Sequence, residues 1–320
     1  MNIDLMAPAA LKNLQKFSDP ECTADGKPRA FISLKSLNSL WFNTGSLCNL
    51  TCNNCFMESS PRNNRLTYLT KNDLLIYLEE IVAENLQINE IGFTGGEPFM
   101  NPHLITILKE TLSRGFKTLI LTNGMKPLWQ VRTNLLALQK HWGNLIHIRV
   151  SLDHYQKSLH EKERGPQTWE PAINSIKWLS KNGFNLYLAG RTFAAETEKE
   201  LRDGYGLLIK KLKLDIDPDN PAELVLFPEL DESADVPEIT TKCWSLLDIK
   251  PESLMCANSR MVIKRYNAAT PSIVPCTLLP YEERFDLGTT LQEANTSVAL
   301  NHPHCSKFCV LGGGSCSQIK

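Results

Sequence analysis

Three of the chain's ten cysteines lie close together in the stretch GSLCNLTCNNCFMES, which spans residues 45–59. Cys48, Cys52 and Cys55 follow the pattern CxxxCxxC in a loop rich in asparagine and threonine. Thiolates are soft ligands that suit iron–sulfur clusters and zinc. Because a structural zinc site takes four ligands, three cysteines leave one metal position open for a small molecule. A zinc site completed by a distant cysteine or histidine is the alternative for this loop.

A second motif, GFTGGEP at residues 92–98, also ends a predicted strand. Paired glycines there let the backbone approach a ligand closely and leave carbonyl groups free to accept hydrogen bonds from an ammonium group. Taken alone, the motif also fits an ordinary turn followed by an acid. Both motifs follow predicted strands, so we expect them at the carboxyl ends of a parallel barrel, where such folds carry their chemistry.

The elements that must position these motifs alternate along the chain. Short apolar runs of strand type are separated by stretches of helical period, and the runs are SLWFNTG, INEIGFTGG, FKTLILTNG, LIHIRVSLD, FNLYLAGRTF and AELVLFPEL. This rhythm predicts an α/β fold with a parallel sheet, and six units favour a partial (βα)6 TIM-like barrel. We expect a helix to begin at Asn101 and Pro102, and helices to end at Gly115 and Gly183.

The predicted division has three parts: a lead-in over residues 1–34, the barrel over residues 35–230, and a small cysteine-rich region over residues 231–320. A net charge of −1, with 42% hydrophobic and 22% charged residues, describes a globular protein that has no field to attract nucleic acid or anionic lipid. No signal-peptide pattern or membrane-length apolar run is present. We therefore expect a cytoplasmic protein whose cysteines are metal ligands, catalytic thiols or small buried side chains rather than disulfides.

Together, CxxxCxxC and GGEP resemble the radical S-adenosylmethionine (radical SAM) enzymes, over about residues 35–230. The resemblance implies that Cys48, Cys52 and Cys55 hold a [4Fe–4S] cluster whose fourth iron is chelated by the amino and carboxylate groups of SAM. It also implies a partial (βα)6 barrel. In the family the GGE motif meets the methionine ammonium, which assigns Gly95, Gly96 and Glu97 to that contact.

Three later strand ends, LTNG, SLD and AGRTF, are similar to weaker patterns of the same family. The resemblance implies that they line the ribose and carboxylate of SAM. The residues concerned are Asn123, Ser151, Asp153 and Arg191. Many members carry an aromatic residue just before the third cysteine, whereas this chain has Asn54 there and Phe56 after the cysteine.

The tail resembles the SPASM and twitch extensions of radical SAM enzymes, which hold auxiliary iron–sulfur clusters. Its six cysteines are Cys243, Cys256, Cys276, Cys305, Cys309 and Cys316. Six thiols suffice for one four-thiolate site and not for two. We expect Cys256 and Cys276 as ligands, completed by two or three of the last three cysteines, with Cys243 as the spare. A zinc ribbon is the alternative for the tail, and Cys22 is predicted to bind nothing.

The resemblance further implies that SAM is cleaved reductively to a 5′-deoxyadenosyl radical, which takes a hydrogen atom from the substrate. An external one-electron reductant such as flavodoxin or ferredoxin would supply the electron. Substrate-side candidates lie after the fourth and sixth strands: His154, His160, Arg164 and Glu229. Such side chains suit a small polar substrate, including an anionic one.

Two other functions remain open at this point. Peptide-modifying relatives often carry a leader-recognition domain before the barrel, and about 35 residues are too few for one. A peptide maturase would therefore need a separate partner. The other candidate is a non-catalytic iron–sulfur protein that carries electrons or serves as a scaffold, and the intact pair of motifs argues against it.

Overall fold

A computed structural model of the chain describes residues 16–192, 196–228 and 235–314. Its main feature is a sheet in the strand order β7-β6-β5-β4-β3-β2-β8-β9. The barrel strands are β2 Ser39–Asn43, β3 Glu90–Thr94, β4 Lys117–Thr122, β5 Ile146–Ser151, β6 Asn185–Arg191 and β7 Leu224–Phe227. These six are parallel and lie in chain order. The predicted partial (βα)6 barrel is confirmed.

Helices connect successive barrel strands. They are α1 Lys71–Ala83, α2 Leu104–Ser113, α3 Lys126–Trp142, α4 Lys157–Arg164, α5 Trp169–Lys181 and α6 Glu198–Leu212. None of the described helices is long and apolar enough to cross a membrane.

Side chains alternate across each barrel strand, so each strand contributes to two cores. Leu40 and Phe42 of β2 face outward into the core that packs on the helices, as do Ile148 and Val150 of β5. Trp41, between Leu40 and Phe42, faces inward and joins a second core with the C-terminal region. Burial on both faces explains why these strands appear in the sequence as short apolar runs.

Most predicted helix ends agree with the structure, and one does not. Gly115 and Gly183 each lie just after the end of a helix. Their φ angles are +83° and +74°, a conformation that glycine adopts readily. The helix predicted from Asn101 begins at Leu104. Asn101 instead donates from its side-chain amide to the carbonyl groups of Thr44 (3.0 Å) and Leu69 (2.9 Å). It therefore ties the loops around the barrel mouth together.

The C-terminal region extends the barrel sheet. Its strand β8, Ser259–Ile263, pairs in parallel with β2, and β9, Ser272–Val274, pairs antiparallel with β8. At the far end of this region β10, Val298–Ala299, pairs with the short N-terminal strand β1, Phe31–Ile32. The division at residue 231 remains a prediction, since one sheet continues across it.

Packing inside the barrel leaves no room for a side chain at Gly92, which pairs with Trp41 on the neighbouring strand. A Cβ at Gly92 would lie 2.4 Å from the fully buried Trp41 ring. We expect Gly92→Ala to lower the free energy of unfolding by about 1–3 kcal/mol through overpacking. Gly206→Ala, within α6 and 3.5 Å from its nearest neighbour, should instead be neutral or stabilise by about 1 kcal/mol. Denaturant unfolding of both variants would check this, and equal effects would contradict it.

Candidate active site

A cavity opens at the carboxyl ends of the barrel strands, and most of the predicted site residues line it. Those residues are Cys48, Cys52, Cys55, Gly95, Gly96, Asn123, Ser151, Asp153 and Arg191. Because the strands are parallel, their ends meet at one edge of the sheet, which brings together residues far apart in sequence. The apolar part of the wall consists of Leu50, Phe56, Met57, Leu121, Ala189 and Phe227.

The cysteine loop follows β2, and its Cys48 is buried while Cys52 and Cys55 are half-buried. The backbone N–H of Leu50 donates to Cys48 Sγ at 3.4 Å, and the Asn123 side-chain amide donates to the same sulfur at 3.6 Å. Burial raises the pKa of Cys48 to about 12 and also raises the pKa of Cys52. A bound metal would displace the protons from these thiols. Within the described ranges, no group of three or more His, Cys, Asp or Glu side chains is arranged around a single metal ion.

The donor set fits an iron–sulfur cluster. Three soft thiols border one cavity, and N–H groups point at a sulfur, as the donors that tune such clusters do. The paired glycines beside them are required by the packing of the loop itself. A Cβ at Gly95 would lie 2.5 Å from the Gly45 carbonyl oxygen, and one at Gly96 would lie 2.2 Å from the Leu47 carbonyl oxygen. The glycines therefore let two backbone segments meet at the cavity.

Unlike the two glycines before it, Glu97 does not lie on the cavity wall. Its side chain is buried. One carboxylate oxygen accepts from the Phe99 N–H (3.1 Å) and the Thr122 hydroxyl (2.8 Å), and the other accepts from the Asn123 N–H (2.8 Å). Burial raises the pKa of Glu97 to about 7, and these donors oppose the rise. Glu97 thus joins the glycine turn to the end of β4, and its predicted contact with an ammonium group stays a prediction.

A buried ionic group lines the same cavity. Arg164 contacts both carboxylate oxygens of Asp153: its Nη2 donates to Oδ1 at 3.0 Å and its Nε lies 2.9 Å from Oδ2. Arg191 Nε lies 3.6 Å from Oδ1 of the same carboxylate. Although burial acts to raise the pKa of Asp153, the two arginines hold it below the usual value. Arg164, a predicted substrate-side residue, is therefore the main partner of Asp153 and lines the same cavity as the cysteines.

The end of α4 also holds the cysteine loop. Asn53 donates to the carbonyl groups of Glu163 (2.7 Å, from its backbone) and Lys162 (2.8 Å, from its side chain). Arg191 donates to the Asn54 carbonyl at 2.9 Å. Asn54 has φ +54°, a left-handed conformation that asparagine tolerates better than an aromatic residue does. This conformation explains why asparagine suits the position before the third cysteine in this chain.

Two of the predicted substrate-side residues lie away from the cavity wall. His154 is fully buried, with Nε2 2.6 Å from a Glu196 carboxylate oxygen and Nδ1 accepting from the Gln156 N–H. His160 is fully buried beside the Trp169 ring, and burial lowers its pKa to about 4. Both histidines support the packing around α4. Glu229 lies outside the described residues.

Sequence reasoning missed one charged residue of the cavity. Arg149 lies on β5 two residues before Ser151, is 1% exposed and lines the same cavity. The sequence does contain a sign of this residue: an arginine lies within an apolar strand, two positions before Ser151 and therefore on the same face of that strand.

Four cysteines of the tail line a second, small cavity. They are Cys256, Cys276, Cys305 and Cys309. Burial raises the pKa of Cys256 to about 11 and that of Cys305 to about 12. Cys243 and the exposed Cys22 are not among the lining residues, and Cys316 lies outside the described residues. Four soft thiols on one wall fit the ligand number of a single iron–sulfur cluster.

The sequence profile of the radical SAM superfamily matches residues 42–203, about half of the chain. The chain belongs to the radical SAM superfamily. This match includes both motifs and the strand ends that surround the cavity. A [4Fe–4S] cluster and SAM are the typical cofactors of this superfamily.

Curated relatives share part of the chain. A probable GTP 3′,8-cyclase of Saccharolobus islandicus is 28% identical over 143 residues, which cover 45% of this chain and 44% of the relative. The antilisterial bacteriocin subtilosin biosynthesis protein AlbA of Bacillus subtilis is 29% identical over 147 residues, covering 46% and 31%. The chain thus spans less than half of the length of these relatives.

Solved structures share the fold. Streptococcus suis SuiB bound to S-adenosylmethionine matches with a TM-score of 0.58 and 12% identity, over 79% of this chain and 63% of SuiB. Native anSMEcpe with bound AdoMet matches with a TM-score of 0.57 and 16% identity, over 82% and 81%. At these identities the likeness shows the fold alone.

The two cysteine sites predict the iron content. Anaerobically reconstituted protein should hold about eight irons per chain, because each [4Fe–4S] cluster contributes about four. Joint replacement of Cys48, Cys52 and Cys55 by alanine should leave about half of the iron, and so should joint replacement of the four tail cysteines. Cys22→Ser, at the exposed cysteine, is the matched control and should change nothing. A wild-type plateau near four irons, or zinc bound in the tail, would contradict the second site.

Proposed function

We propose that this chain is a radical SAM enzyme that abstracts a hydrogen atom from a small polar substrate and carries one auxiliary iron–sulfur cluster. The single observation that carries the proposal is the continuous cavity. Its wall joins the three thiols of the cysteine loop, the glycine turn and the ionic group around Asp153, and it continues into the barrel as far as Arg149. A cofactor and a substrate can therefore meet in one cavity.

When bound and reduced, the cluster supplies the electron that splits SAM into methionine and a 5′-deoxyadenosyl radical, which then takes a hydrogen atom from the substrate. The chain's own residues bind, orient and enclose the reactants. Cys48, Cys52 and Cys55 would hold three irons. The carbonyl groups of Gly95 and Gly96 would accept from the methionine ammonium.

Polar residues at the other strand ends would hold the rest of SAM. Asn123 and Ser151 line the cavity at the ends of β4 and β5, within reach of a ribose. Arg191, held beside Asp153, supplies a cation for the SAM carboxylate. Leu121 and Phe227 give the inner wall an apolar surface, which would exclude water from a reactive carbon radical.

The four tail cysteines would hold the auxiliary cluster. Its position relative to the main cavity supports a role in removing an electron from the substrate. Phe227 lines the main cavity and stacks on Phe308 with ring centroids 5.6 Å apart. Phe308 lies between Cys305 and Cys309 in the same π-helical turn. A wall residue of the main cavity therefore packs on the turn that carries two of the tail cysteines.

A peptide maturase is the second candidate, because AlbA is a bacteriocin biosynthesis protein and another SuiB structure is bound to its precursor peptide. The cavity has apolar wall residues such as Leu121, Ala189 and Phe227 next to the charged Arg149, Asp153 and Arg191, and this mixed lining also suits a small polar molecule. The reductant, of the flavodoxin or ferredoxin kind, would be common to both functions.

SAM cleavage tests the proposal. Reconstituted protein incubated anaerobically with SAM and dithionite should form 5′-deoxyadenosine, measured by chromatography, and the signal of the reduced cluster in electron paramagnetic resonance should change when SAM is added. The variant that lacks Cys48, Cys52 and Cys55 should form no 5′-deoxyadenosine and show no spectral change on addition of SAM, although we expect it to keep the tail cluster. Cys22→Ser is again the control and should behave as the wild type.

The same assay separates the candidates. Stimulation of cleavage by the low-molecular-weight fraction of a cell extract would support the small-substrate function, whereas stimulation by its peptide fraction alone would support the maturase. No 5′-deoxyadenosine and no spectral change in fully loaded protein would contradict catalysis and leave a non-catalytic iron–sulfur protein.

A further inference from the structure

Arg260 is a fully buried arginine at the start of β8, next to the turn that carries Cys256. Its guanidinium group donates to four backbone carbonyl groups. The acceptors are those of Cys256 (2.6 Å), Ser259 (2.8 Å), Ala294 (2.9 Å) and Thr296 (2.9 Å). All four acceptors are neutral. The side chain is therefore well supplied with hydrogen bonds, but these bonds do not balance its charge.

Within the described residues, no carboxylate pairs with Arg260. Two other arginines with buried or nearly buried side chains do have an acidic partner: Arg29 lies 2.6 Å from Glu238, and Arg164 lies 2.9 Å from Asp153. Burial lowers the pKa of Arg260 to about 10, which still leaves it a cation near neutral pH. Because an isolated buried charge is costly, we expect a counter-charge beside this guanidinium group.

The groups that could supply negative charge to Arg260 are two of the tail cysteines. Cys256 and then Cys276 oppose the effect of burial on the pKa of Arg260. Conversely, burial raises the pKa of Cys256, and Arg260 is the first group that opposes this rise. The topology brings both cysteines to Arg260. Cys256 lies in the turn before β8, and Cys276 follows β9, whose last residue, Val274, pairs with Met261 next to Arg260.

An iron–sulfur cluster on the tail cysteines would carry the missing negative charge. Four thiolates outweigh the positive charge of the oxidised core, and uptake of one electron adds one more negative charge. A fixed cation nearby therefore stabilises the reduced form more than the oxidised form, and more strongly in a buried site than in water. Net charge and hydrogen bonding are among the factors that set the reduction potential of such clusters.

We propose that Arg260 is the counter-charge of the tail cluster and raises its reduction potential. This inference rests on the auxiliary cluster of the proposed function. In that function the substrate radical left by hydrogen abstraction loses one electron, and the oxidised tail cluster gains it. A higher potential favours this transfer. Arg260 does not line the main cavity, so it acts through the cluster, as a positioning residue.

A redox titration followed by electron paramagnetic resonance tests the inference. It uses the full chain with alanine at the three cysteines of the loop, so that only the tail cluster contributes to the signal. Arg260→Gln removes the charge and should lower the midpoint potential by about 59 mV or more, a tenfold change in a one-electron equilibrium constant. Arg260→Lys keeps the charge but loses part of the hydrogen bonding, and it should keep most of the original potential.

Ser259→Ala is the matched control for the hydrogen bonds that hold the turn. The Ser259 hydroxyl donates to the Met255 carbonyl at 2.9 Å, so its removal loosens the same turn without changing any charge. This variant should leave the midpoint potential unchanged. Iron content is measured on every variant beside the potential.

Several outcomes would overturn the inference. An unchanged potential in Arg260→Gln at full iron content would do so, and so would equal shifts in Arg260→Gln, Arg260→Lys and Ser259→Ala. Loss of tail iron in both Arg260 variants would give the residue a structural role alone, whereas loss in Arg260→Gln but not in Arg260→Lys would support the counter-charge. Absence of tail iron in the chain with its native arginine would instead contradict the auxiliary cluster of the proposed function.

Discussion

The site depends on one buried ion pair, between Asp153 at the end of β5 and Arg164 at the end of α4. Burying two charges is costly unless they are paired, and here Arg164 Nη2 donates to the Asp153 carboxylate, Arg164 Nε lies 2.9 Å from its second oxygen, and Arg191 approaches from β6. Because the end of α4 also receives hydrogen bonds from Asn53, the pair links two strands and a helix to the cysteine loop. Three thiols on a loop, one buried and two half-buried, need such support, since the loop itself contains no helix or strand.

Much of the fold could be predicted from sequence because its strands are buried on both faces. Each barrel strand is a short apolar run that ends in polar residues, and runs separated by helices of regular period admit one parallel order. The strand β8 was missed because SRMVI is brief and its pairing with β2 depends on contacts between distant parts of the chain. The late start of α2 follows from Asn101, whose side chain bonds to two loop carbonyl groups, and local sequence does not reveal that choice.

The candidate site was predictable where it lies on strand ends and unpredictable where it depends on how far along a helix the cavity extends. Ser151, Asp153 and Arg191 reach the cavity because parallel strands end at one edge. His160 and Arg164 lie one helical turn apart on the same face of α4, yet only Arg164, at the end of the helix, lines the cavity, while His160 is buried beside Trp169. Glu97 shows a similar limit, because the motif identifies the residue but not the three donors that hold its carboxylate. Their roles toward SAM stay predictions.

A double-mutant cycle on SAM affinity tests most directly whether the ion pair assembles the site. Asp153→Asn and Arg164→Met should each weaken SAM binding, and the double variant should be little worse than either, with a coupling of about 1–3 kcal/mol. A cycle on the exposed pair Lys199 and Asp203, 2.7 Å apart, serves as the control and should show no effect on SAM. Iron content measured on every variant separates loss of SAM from loss of the cluster. Strictly additive effects of the two substitutions, or unchanged SAM affinity in both single variants with full iron content, would contradict the account.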